Sequence, residues 1–173
     1  MGTRNLTIVK NDNKTKVAQY GQWDGYPTGQ GQTIADFIKE NLLTDEGLKA
    51  FKGKINKLKK FDFKDKQFIA DKKRIYGDEY GSEFVSASKN DELMKLYPEL
   101  NRDFGAGILE LISDGTITRV DLAEDFKDDD LFCEYYYTID LDKKTVSVNN
   151  GKKYTFKEWV RKGLMQKLED AEE

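Results

Sequence analysis

The sequence predicts a single α+β domain spanning residues 1–173, an antiparallel sheet that starts with an N-terminal β-hairpin and is packed by several helices. Three observations carry this. Segments 4–20 and 131–148 alternate apolar with polar residues or are dense in aromatic and β-branched side chains, as half-buried strands are. Between them, apolar residues recur at helical spacing. Strands and helices do not alternate regularly, so a parallel doubly wound sheet is not expected.

The elements follow in order. In 4–10, Leu6 and Ile8 fall on one face and Asn5, Thr7 and Val9 on the other; Asn11-Asp12-Asn13-Lys14 is turn chemistry, and 15–20 returns as a strand. A loop punctuated by Gly21, Gly25, Gly29 and Gly31 leads to a helix at 33–43 carrying Ile34, Phe37, Ile38 and Leu42. Thr44 caps a second helix with the stripe Leu48, Phe51, Ile55 and Leu58. Residues 61–88 are ambiguous, with 61–63 and 84–86 readable as short strands. Asn90 is expected to cap a helix at 91–97, and Pro98 to open another reaching Ser113. Gly105 and Gly107 inside that helix cost about 1 kcal/mol each against Ala, which points to close approach of a neighbouring backbone. Segments 116–122, 131–141 and 145–148 read as strands. Thr155 and Glu158 form a capping box for a final helix with Phe156, Trp159, Val160, Leu164 and Leu168, and the acidic end 169–173 is expected to fray. No repeat or linker divides the chain.

Composition narrows the chemistry. With 38% apolar, 35% charged and 12% aromatic residues, the chain is polar but too aromatic for a disordered one. It contains no histidine, which removes Ser-His-Asp and Cys-His catalysis and His-ligated zinc. The one cysteine, Cys133, excludes an intramolecular disulfide, fits a reducing compartment and is expected to be buried and slow to react. No apolar run is long enough to span a membrane, and the first residues lack the apolar core of a signal peptide, so a cytoplasmic protein is expected. No cofactor or metal is implied: Asp128-Asp129-Asp130 are consecutive and do not converge like a calcium loop.

Charge is segregated. From Lys49 to Arg74, eleven Lys and Arg against three Asp leave a net +8, and from Asp121 to Asp142 nine acids against Lys127 leave −8. Solvated faces are the simpler reading. Nucleic-acid binding through Lys49–Arg74 is the alternative, although the basic residues are almost all Lys, where a nucleic-acid reader usually adds arginine forks and stacking aromatics.

Residues 19–32 are unusual for a loop. Gln19, Gln22, Trp23, Asp24, Tyr26 and Gln30 combine aromatic plates with amide and carboxylate groups, as a polar ligand pocket does. Gly29-Gln30-Gly31 ahead of a helix could offer free N–H groups to an anion such as phosphate. The competing reading is an elaborate turn with Trp23 and Tyr26 tucked into the core. The hairpin returns the start of its first strand beside the end of its second, so Arg4 and Asn5 are expected next to Gln22, Trp23 and Asp24, with Arg102 or Asp103 nearby.

The stretches 1–6 (Met-Gly-Thr-Arg-Asn-Leu), 18–27 (Ala-Gln-Tyr-Gly-Gln-Trp-Asp-Gly-Tyr-Pro) and 29–31 (Gly-Gln-Gly) resemble a family of small proteins in phage and bacterial genomes and in some fungi. Arg102-Asp103-x-Gly105-Ala106 and the strand from Cys133 to Asp142 are similar to it as well. The resemblance implies a free-standing, often phage-encoded protein: an accessory or counter-defence factor, anti-CRISPR activity included, acting in the host cytoplasm. It brings no activity, ligand or oligomeric state. The hairpin is more weakly similar to N-terminal-nucleophile hydrolases, but loss of Met1 would expose Gly2 rather than a nucleophile.

Three function classes follow. The first is a binding protein whose 19–32 segment holds a small polar ligand, phosphorylated or not, or docks a host protein, using Arg4, Asn5, Gln19, Gln22, Trp23, Asp24, Tyr26, Gln30 and Arg102. The second is a hydrolase or transferase with Asp24 or Asp103 as base. The third binds nucleic acid through Lys49–Arg74.

Overall fold

The computed structural model describes residues 2–172. Strands β1 (Asn5–Asn11) and β2 (Lys14–Gly21) form the hairpin, with Asn5 opposite Gly21 and a register shift after Val9. Asp12 and Asn13 turn it at φ 53° and 60°, a left-handed pair that Asp and Asn tolerate well. Helices α1 (Gln32–Asn41) and α2 (Asp45–Lys57) follow; Thr44 caps α2 by accepting the Gly47 N–H. Strand β3 (Lys59–Lys60) leads into α3 (Lys66–Tyr76) and α4 (Ala87–Leu96). After α5 (Ile108–Ser113), strand β4 (Arg119–Val120) pairs in parallel with β3 in a separate two-stranded ribbon. Strands β5 (Tyr135–Asp140), β6 (Thr145–Val148) and β7 (Tyr154–Thr155) and helices α6 (Phe156–Trp159) and α7 (Leu164–Asp170) complete the chain.

The main sheet has the order β2-β1-β5-β6-β7, so segments 4–20 and 131–148 share one sheet as expected. Its junctions are antiparallel except β1–β5, which is parallel in the register Asn5 to Tyr135. A parallel junction needs a long crossover, which the helical block between the two strands supplies. β1 is central and covered on both faces. Val9, Val17, Tyr137 and Ile139 face the main core with Ile34, Ile38, Phe51, Ile108, Ile112 and Trp159. Leu6, Ile8 and Ala18 face the other way, under Leu122, Phe126 and Tyr136. A separate apolar cluster of Phe61, Phe68, Ile75, Tyr76, Leu93 and Tyr97 holds α3 and α4 together.

Several expected elements differ. The ambiguous stretch contains α3, capped where Asp65 accepts the Phe68 N–H, and 61–63 and 84–86 are not strands. α4 begins after Ser86, and Asn90 lies inside it, where its side chain accepts from the Tyr76 hydroxyl at 3.2 Å. No continuous helix runs from Pro98 to Ser113: a single turn at Pro98–Leu100 ends, and the chain restarts at Gly105, whose φ of +48° no helix interior allows. A Cβ on Gly105 would lie 2.8 Å from the Gln30 side-chain amide, so the close approach is to a side chain rather than the expected backbone, and around Gly107 the space is open. Strand 116–122 shrinks to β4, and 131–134 stays outside β5 with Leu131 and Phe132 exposed. The final helix breaks in two at Gly163, φ +87°. α7 remains helical to Asp170, and Glu173 of the expected frayed end lies outside the described residues.

Candidate functional site

The loop after β2 is built from the hairpin outwards. β1 and β2 set Asn5 opposite Gly21, and the buried Asn5 amide donates to the carbonyls of Thr3 (3.2 Å) and Trp23 (3.0 Å). Gly25 N–H donates to the Thr3 carbonyl at 3.0 Å, and Gln22 N–H to the Arg102 carbonyl at 2.8 Å. Buried Gln30 closes the loop from the far side: its Nε2 donates to the Trp23 carbonyl at 3.1 Å, and its Oε1 accepts from the Ala106 N–H at 2.8 Å. The Tyr137 hydroxyl reaches from β5 to the Gly25 carbonyl at 2.6 Å; burial, above all, pushes its pKa well above the ordinary tyrosine value. Trp159 Nε1 donates to the Gly31 carbonyl at 3.2 Å. The Asn5 and Gln30 amide N–H groups that resemble part of a ligand-binding set are thus spent on backbone carbonyls of the chain itself.

The anion reading of Gly29-Gln30-Gly31 is corrected on the same ground. Residues 27–31 form a wide helical turn that runs straight into α1, so the helical segment starts at Pro27. Gly29 and Gln30 N–H groups donate to the carbonyls of Tyr26 and Asp24 at 2.9 and 2.8 Å. The free N–H at this helical start is that of Thr28, and the Glu169 carboxylate from α7 accepts it at 3.0 Å, together with the Thr28 hydroxyl. The chain's own carboxylate occupies the position a phosphate would take.

Trp23 is brought to the surface. It is 44% exposed, its ring lies against Gly2, and its Nε1 donates to Asp103 at 2.8 Å. Of the expected cluster, the structure brings Asn5, Gln22 and Trp23 together with Arg102 and Asp103, and adds Gln30 to it. Arg4 is engaged elsewhere: its guanidinium lies 4.8 Å from the Phe132 ring centre, and it makes no ion pair with Asp24 or Asp103. Asp24 is exposed at φ 54° and accepts from Tyr26, whose hydroxyl pKa is raised by that bond. Both candidate catalytic carboxylates are hydrogen-bonded to aromatic neighbours within the chain. Gln19 is buried and donates to the Glu99 carbonyl at 3.3 Å.

Arg102 is exposed between two grooves. One, about 710 Å³, is lined by Lys72, Tyr76, Asn90, Met94 and Asp103; the other, about 390 Å³, by Gln19, Tyr20, Phe63, Glu99 and Phe126. The second contains residues that sequence reasoning missed. Glu99 is buried and forms an ion pair with Arg119, Oε1 to Nη2 3.0 Å. Arg119 lies over the rings of Phe61 and Tyr97 at 5.3 and 5.4 Å, and Tyr97 donates to Asp71 at 2.6 Å. Burial pushes the Glu99 carboxyl up, and burial followed by the Asp71 bond pushes the Tyr97 hydroxyl up to about 12. A glutamate after Pro98 reads as an ordinary first-turn acid, so nothing local in the sequence flags it. Cys133 is half-buried rather than fully buried, and its thiol is pushed up to about 11 by burial and by Asp129 and Glu134.

Among the described residues, no cluster of three or more His, Cys, Asp or Glu could hold a metal ion, and no helix is long and apolar enough to cross a membrane. No family model, curated protein or solved structure matches the chain.

Proposed function

We propose that this chain is a binding protein whose 19–32 loop docks a macromolecular partner, with Trp23 as the anchor. The observation that carries the reading is the treatment of Trp23. A large aromatic side chain stands nearly half exposed while its backbone carbonyl is held by two buried amides and its indole N–H is fixed by Asp103. Exposed tryptophans are the side chains most enriched among residues that dominate binding energy, and a loop already fixed in its bound shape loses little entropy on association. A small phosphorylated ligand is the less supported occupant, because Glu169 fills the anion position and the loop amides are internally bonded. An accessory or counter-defence role in a host cytoplasm, implied by the phage-type resemblance, fits a protein that acts by docking.

The test is affinity isolation of the tagged chain from its natural host, with Trp23→Ala in parallel. A protein recovered near equal stoichiometry with the native chain and absent with the variant supports the reading. A small molecule that co-purifies equally with both, or a partner retained by the variant, overturns it.

A further inference from the structure

The basic segment carries a second, independent surface. Between α2 and the first turn of α3, Lys54, Lys57, Lys59, Lys60, Lys64 and Lys66 are all exposed, and none takes part in an ion pair among the described residues. The two acids in this stretch are turned to internal work: Asp62 accepts the Lys64 N–H at 2.9 Å, and Asp65 caps α3 through the Phe68 N–H at 3.0 Å. Asp62 and Asp65 keep their charge while bonded, and Lys54 also faces Asp114, but six exposed lysines leave the stretch net positive.

One aromatic ring breaks the lysine run at the surface. Phe63 is 53% exposed, yet it is held in place by edge contacts to Phe61 at 4.9 Å and Phe68 at 6.1 Å. An anchored, half-bare ring set in sequence between the exposed Lys60 and Lys64 offers both parts of a single-strand platform: cations for the phosphates and a face for a base. Arg119, paired in register with Lys59, is committed to Glu99 and to two rings. Lysine ammoniums meet phosphates as point charges and a ring stacks on any base, so this segment supplies no base-edge readout.

We propose that the Lys54–Lys66 surface binds single-stranded nucleic acid without sequence preference, by lysine–phosphate contacts and stacking of a base on Phe63. The proposal does not depend on Trp23. The test is fluorescence anisotropy of a labelled twenty-nucleotide oligothymidylate across a salt series from about 50 to 200 mM. Expected is saturable binding that weakens steeply with salt. K59E/K60E/K64E should weaken it at least tenfold, whereas reversing Lys152 and Lys153, exposed just before β7, should leave it within twofold. Phe63→Ala should weaken binding about threefold to tenfold while leaving the salt slope unchanged, because stacking releases no counterions; circular dichroism confirms that each variant is folded. No binding at low salt overturns the proposal. So does binding indifferent to Phe63, equal for a duplex of the same length, or matched by vesicles of anionic phospholipid.

Discussion

Gln30 and Trp23 divide the work of the loop between stability and recognition. Gln30 bridges the Trp23 carbonyl and the Ala106 N–H, so Gln30→Ala leaves the Ala106 N–H without a partner while the Trp23 carbonyl keeps the Asn5 amide. It should cost about 1–3 kcal/mol, read by urea denaturation. Trp23→Ala keeps the backbone carbonyl that the two amides need and removes an exposed ring, so its cost should stay under about 1 kcal/mol. The two tryptophans should separate by fluorescence. Trp159 is fully buried and Trp23 is not, so acrylamide should quench one emitter readily and the other hardly, and Trp23→Phe should leave only the shielded, blue-shifted emission. Cys133 supplies a pH-dependent check. With its pKa raised from about 9 to about 11, its thiolate fraction at pH 8 is about a hundredfold below that of the unfolded chain. Native labelling by a disulfide reagent should be correspondingly slow and should rise with pH up to about 11. These assignments were unequally visible in the sequence. The hairpin alone put Asn5 beside Gln22 and Trp23, but that Gln30 is spent inward, that Arg4 turns to Phe132 and that Glu169 reaches Thr28 depend on contacts made across the whole fold.

At the scale of elements, local signals were read correctly where they close on themselves. Thr44 caps α2, and Thr155 and Glu158 form the reciprocal capping box of α6. Thr155→Ala should cost about 1 kcal/mol in thermal or chemical unfolding. α3 was hidden because five of its eleven residues are charged, which thins the apolar stripe to Phe68, Ile75 and Tyr76. The helix expected from Pro98 failed at a single residue, since a glycine that adopts φ +48° and one that is merely tolerated in a helix look alike in sequence. The caps also set the pH response. Hydrogen bonds hold Glu158, Glu79, Asp114 and Asp71 below the ordinary carboxylate range. Groups whose pKa falls on folding stabilise the fold above their unfolded value, and that stability is lost as pH drops through the lower, folded value. The unfolding temperature should therefore decline on acidification below about pH 4. Glu99 acts with the opposite sign: its raised pKa withdraws stability as pH rises from the ordinary glutamate value towards the raised one.

Over the whole molecule, the sheet and the α3–α4 cluster form distinct apolar groups, with β1 enclosed on both faces of the sheet. Hydrogen exchange should find β1 and β5 slowest. Phe68→Ala should speed exchange in α3 and α4 far more than in the sheet. The α+β class and the shared sheet were legible because both strand segments announce themselves by composition. The parallel β1–β5 junction was not, because pairing between distant segments is decided by how the intervening helices cross over. The Trp23 loop and the lysine run are separate segments of the chain, so recognition by the loop can be tested on its own. The most direct test is the affinity of the isolated partner for the native chain and for Trp23→Ala, measured by calorimetry. The account predicts a one-to-one macromolecular complex weakened about thirtyfold or more by the substitution, the scale of a binding hot spot. An affinity unchanged by Trp23→Ala would contradict it.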